Sequence, residues 1–216
     1  IMHRIRGGFL LLVWLLVLIF PAPAQAQSYS FEVPFQDIGV FINSDGTISL
    51  DYLITFSNDS NGDLLDIIDI GLPNYDYDLN SVTATIDGQP VERVADSTVV
   101  FPGIEVHLGS RSIQPGSSGE LNVVVGIVRN ALGVAEAVDG VPYASLVFEP
   151  SYFDSSIVSG RTQYAFTFIL PPGLESDQPR YFTPSNNWPG SEEPAASYNA
   201  ENRVVYTWTA DNADAE

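Results

Sequence analysis

Three observations predict an all-β fold, specifically an immunoglobulin-like antiparallel β-sandwich behind a cleaved N-terminal signal peptide. Apolar residues recur at every second position in some nine or ten short segments, the pattern of strands buried on one face. Turn signals rich in Gly, Pro, Asn and Asp separate those segments at intervals of about ten residues. No stretch shows the period of an amphipathic helix over several turns.

Residues 1–26 read as the leader. Arg4 and Arg6 form a basic stub, an unbroken apolar run extends from Phe9 to Phe20, and Ala24-Gln25-Ala26 is a small-residue cleavage site. The run is shorter than the ~20 residues that span a bilayer, which favours a signal over an anchor. The β-sandwich domain is assigned to 27–210 and an acidic tail to 211–216. One sandwich, or two packed with a boundary near 130–140, both fit that length.

Ile38 to Phe56 is the clearest hairpin. Ile48, Leu50, Tyr52, Ile54 and Phe56 alternate with polar neighbours, and Ser44-Asp45-Gly46 turns the chain. A two-residue turn would set Val40 opposite Asp51. A three-residue loop with Gly46 left-handed pairs Ile42 with Ile48, Val40 with Leu50 and Ile38 with Tyr52, which keeps one face apolar. That register is the expected one. Further strands are expected over 64–72, over Val82–Ile86 with Asp87-Gly88 turning into Val91–Val94, and around Ile104–Leu108. Leu121–Val128, apolar on both faces, reads as a central strand. Residues 130–140 read as a long connection carrying a helical turn. Strands follow at Tyr143–Phe148, Tyr164–Leu170 and Val204–Trp208, with a Pro- and Ser-rich loop over 174–196.

All eight basic residues are arginine, and two lie in the leader, so six face 27 acids and leave a mature charge of −21. Such a surface repels nucleic acid and anionic lipid. Cysteine is absent, which excludes a thiolate nucleophile and cysteine-ligated zinc and leaves the core alone to hold the fold.

His107 is the single imidazole after the leader and reads as a surface histidine beside Glu105; no Gly-x-Ser-x-Gly elbow accompanies it. The expectation is therefore that the chain is not an enzyme and has no catalytic residue or organic cofactor. Two loops carry candidate sites. Asn58, Asp59, Asn61, Asp63 and Asp66 place several oxygens on a short turn and are the candidate calcium ligands, although the spacing misses the EF-hand pattern. Asn58-Asp59-Ser60 is also a formal glycosylation sequon. Tyr181, Phe182, Asn187 and Trp188 combine aromatics with an amide and are the candidate ligand-binding loop.

Asn43 to Phe56, an Asp-Gly turn followed by Ile-Ser-Leu-Asp-Tyr-Leu-Ile-Thr-Phe close behind a signal peptide, resembles the N-terminal extracytoplasmic β domain of bacterial predicted membrane proteins of unknown function. The resemblance implies export, transmembrane helices downstream and thus a membrane anchor beyond residue 216, and no catalytic residue. Ile1 stands before Met2 and the tail closes on no structural signal, so the chain is expected to be the front of a longer product. The function expected is an exported, non-enzymatic structural or interaction module that meets a protein or glycan at the cell surface. A carbohydrate-binding or carbohydrate-active protein using residues 181–188 is the alternative.

Overall fold

The computed structural model describes residues 28–149, 153–184 and 188–214; the leader expected over 1–26 and Asn187 lie outside them. The chain is all-β, with two three-residue 3-10 turns and no α-helix among the described residues. Strands β1 (Phe31–Ile42) and β2 (Ile48–Asn58) form the predicted hairpin at the centre of a nine-stranded sheet. Their register is Ile42 with Ile48, Val40 with Leu50 and Ile38 with Tyr52. Gly46 takes φ +84°, and Asp45 Oδ1 accepts from the Thr47 backbone N–H at 2.9 Å, so the three-residue loop closes on its own side chain.

Outward from β2 lie β8 (Ser118–Val128), β4 (Val82–Ile86) and β5 (Gln89–Pro90); outward from β1 lie β12 (Thr162–Ile169), β14 (Val204–Ala213) and β13 (Ala195–Tyr198). Short β11 (Val158–Ser159) also runs beside β1. β8 is central, as its two apolar faces predicted. A second, three-stranded sheet orders β3 (Ile67–Gly71), β7 (Gly103–His107) and β6 (Arg93–Asp96). Its Ile68, Ile70, Ile104 and Val106 join β2 in one hydrophobic core. The Tyr52 hydroxyl donates to the Gly71 carbonyl at 3.2 Å and ties the two sheets. The inward residues of β2, Ile48, Leu50, Tyr52, Ile54 and Phe56, are fully buried. Each contributes roughly 1.5 to 3 kcal/mol by leaving water.

Three expectations are corrected. β1 pairs with β12 and β11 in parallel, so the large sheet is mixed and not antiparallel throughout. The long excursion between β2 and β12 lets the chain return to the free edge of β1 running in the same direction. Residues 130–140 carry no helical turn; they form β9 (Gly133–Val138), which Asp139-Gly140 turns into β10 (Val141–Ser145). Both turn residues have positive φ, 51° and 79°, the conformation a tight two-residue hairpin requires. The acidic tail begins later than residue 211, because β14 runs on to a buried Ala213 and Arg161 pairs with Asp214. The large sheet draws strands from both sides of 130–140, and one core cluster spans Phe31 to Ala213.

Candidate functional site

The carboxylates of the 58–66 loop are turned toward the segment that enters β1. Ser28 N–H donates to Asp63 Oδ2 at 2.6 Å, Tyr29 Oη to Asp66 Oδ1 at 2.8 Å, and Ser30 Oγ to Asp59. Asn58 is buried, and its amide donates to the carbonyls of Asp63 (3.0 Å) and Ile113 (2.9 Å). A glycan on that nitrogen would replace one of these N–H donors and force the buried side chain out of the core, so the sequon is structural. Asn61 stands exposed at the tip of the turn. Among the described residues no group of three or more His, Cys, Asp or Glu could hold a metal ion.

The loop has a consequence for alkaline stability. Burial, then the Asp66 hydrogen bond and charge, pushes the Tyr29 phenol well above its ordinary range. Burial does the same for Tyr52. Burial and Asp96 raise Tyr77 to about 12, and burial raises Tyr164 to about 12. These phenols stay neutral in the fold but ionise near ~10 in the unfolded chain. Their stabilising contribution is therefore complete below that pH and is lost as the pH rises toward the folded values. Denaturant midpoints measured from pH 8 upward are expected to hold level to about 10 and then fall. Tyrosinate absorbance should rise in the same step.

The aromatic loop is split between sheet and solvent. Trp188 packs edge-on against Phe166 and Tyr164, with centroids at 5.5 and 6.4 Å, and its indole N–H donates to the Ser191 carbonyl at 3.0 Å. Tyr181 meets Tyr206 and Trp208, both at 5.8 Å. These two rings roof the inner face of β12 and β14. Phe182 points away and is 79% exposed.

On β7, His107 Nε2 lies 2.7 Å from Glu105 Oε1, and Arg93 Nη2 lies 3.3 Å from His107 Nδ1. A guanidinium only donates, so Nδ1 accepts and Nε2 carries the proton toward Glu105. The His107 hydrogen bond, ahead of a Thr98 hydrogen bond and the Arg93 charge, holds the Glu105 carboxyl below the usual range. Both imidazole nitrogens are thus spent within the cluster, on Glu105 and Arg93.

A groove of about 450 Å³ opens between the two sheets' connecting segments. Tyr75 and Phe101 stand at its rim, 72% and 63% exposed, over Leu79 and Gly103. Along its lining the Tyr77 hydroxyl lies 2.6 Å from the exposed Asp96 Oδ1 and 3.0 Å from the Gly103 carbonyl. Separately, the β9–β10 hairpin pairs with no third strand among the described residues, and Val134 at its base is 98% exposed.

No protein-family model and no curated protein matches the chain. The fold is similar to part of a larger structure. Yeast LTA4 hydrolase aligns over 88% of this chain and 29% of its own at 13% identity, with a TM-score of 0.50. The M1 zinc metallopeptidase of Deinococcus radiodurans aligns over 88% of this chain and 40% of its own, at 18% identity and a TM-score of 0.46. This chain spans less than half the length of the structures it matches. The likeness is one of fold.

Sequence reasoning missed both the groove and the hairpin. The groove joins residues from 75 to 103 that only the second sheet brings together. The hairpin had a legible signal in Asp139-Gly140, obscured because Gly133–Val138 is not alternating and none of 133–137 is buried to enforce a face.

Proposed function

We propose that this chain is an exported, non-enzymatic β module that acts by holding another protein body. The leader pattern of Met2 to Ala26 supports export. The observation that carries the interaction role is the β9–β10 hairpin. A two-stranded ribbon is at best marginally stable alone in water, and this one presents Val134 and Val141 to solvent. Burial against a partner stabilises such an arm. The polar clusters are consumed in internal hydrogen bonds, which speaks for binding over chemistry.

The test places a photo-crosslinking phenylalanine at Val134 and, as control, at exposed Thr83, in the exporting cell. One discrete adduct from position 134 and none from 83 is expected. Equal smears from both positions, or hydrolysis of aminoacyl amides by the purified chain with zinc, would overturn the reading.

The exposed Phe182 beside Tyr181 favours a second reading, in which this rim stacks on a sugar ring. Selective glycan-array binding that disappears in Phe182→Ala is its expected result.

A further inference from the structure

We propose that the groove between Tyr75 and Phe101 is a binding site for a cationic side chain, lysine or arginine, on an extended segment of a partner protein. Its walls are two aromatic rings left in water, where large apolar side chains gain nothing unless something covers them. Its floor is apolar at Leu79 and Gly103, and one exposed carboxylate, Asp96, stands at its edge. An apolar slot with a single charged group at its edge matches a long aliphatic stem with a charged head.

The sign of the charge follows from the lining. Asp96 has no ion-pair partner among the described residues, and no basic side chain lines the groove. The Tyr77 hydroxyl occupies one lone pair of Oδ1 and orients the carboxylate without neutralising it. Aromatic faces attract a cation through their quadrupole, and the carboxylate at the edge of the slot adds a charge-assisted hydrogen bond. An anionic guest would meet Asp96 and the field of a chain with net charge −19.

The site is also held in shape, which keeps the cost of binding low. Ser97 Oγ accepts from the backbone N–H groups of Val99 (3.0 Å) and Val100 (2.8 Å), fixing the loop that presents Phe101. On the other wall, Asn74 Oδ1 accepts from Asp76 N–H at 2.8 Å, and Arg129 N–H donates to the Asp76 carbonyl at 2.8 Å, which pins the turn that carries Tyr75. The groove stands on observations separate from the hairpin, so either reading survives the failure of the other.

The probes are acetyl-Gly-Arg-Gly-amide, its lysine counterpart, the neutral citrulline and norleucine counterparts, and a cello-oligosaccharide, each titrated into the 15N-labelled secreted chain. Saturable shifts confined to residues 75–79 and 96–103 are expected for the two cationic peptides. Binding at least about tenfold weaker is expected for the neutral ones. Asp96→Asn and Tyr75→Ala should abolish the shifts while the melting midpoint stays near that of the parent, and added salt should weaken binding. The proposal is overturned if the neutral peptides bind as well as the cationic ones. It is equally overturned if the oligosaccharide alone shifts the groove resonances, or if no probe shifts them in a folded protein.

Discussion

Leu50→Asp is expected to unfold the protein, or to cost at least several kcal/mol in a denaturant titration. Leu50 is fully buried on β2, between Val40 of β1 and Val125 of β8, and its side chain faces the second sheet. The substitution removes roughly 1.5 to 3 kcal/mol of apolar burial. It also places a carboxylate where no donor can reach it, and that penalty is of comparable or larger size. The outward neighbour Ser49 is not a neutral control, because its hydroxyl donates to the Gly126 carbonyl at 2.7 Å. Exposed Thr83 on β4 is the better comparison, and Thr83→Asp should cost less than about 1 kcal/mol. Equal losses at positions 50 and 83 would mean that the inner and outer faces of the sheet are misassigned.

The second large effect is expected at Arg203. Its side chain is only 12% exposed and lies across the ends of two strands. Nε donates to the Leu170 carbonyl at 2.7 Å, and Nη2 donates to the carbonyls of Ile42 (2.9 Å) and Ile169 (3.2 Å). The turn before β14 presents it, since Asn199 Oδ1 accepts from the backbone N–H groups of Glu201 and Arg203. Arg203 thereby clamps the parallel β1–β12 pair at the end where no turn joins the two strands. Arg203→Ala removes three hydrogen bonds to a charged donor and strips their carbonyls of a partner, a loss of about 2 to 4 kcal/mol. Arg203→Lys should recover only part, because an ammonium cannot match the planar fork that spans three carbonyls. Urea midpoints of the three proteins check this; a lysine variant as stable as the parent would reduce the residue to a simple charge.

Sequence alone determined whatever depends on neighbours a few residues apart. The β1–β2 register followed from period-two alternation and from one glycine, because a slip of one residue would carry Ile48, Leu50 and Tyr52 out of the core. The central place of β8 followed from apolar residues on both of its faces. The crowded aspartates of the 58–66 loop were legible as a polar turn, but composition could not say that they would be spent on Ser28, Tyr29 and Ser30, some 30 residues upstream.

Tertiary structure decided what depends on partners remote in the chain. The parallel pairing of β1 with β12 joins Ile38 to Phe166, and the clamp of Arg203 on Ile42 spans 161 residues. The groove is assembled from Tyr75, Asp96 and Phe101 by a second sheet whose existence the alternation of β6 and β7 does not announce. The physical reason is the same in each case. Alternation and turn chemistry specify which side of a strand is apolar, whereas strand order is chosen by the packing of the whole core and by loop closure, neither of which leaves a local mark.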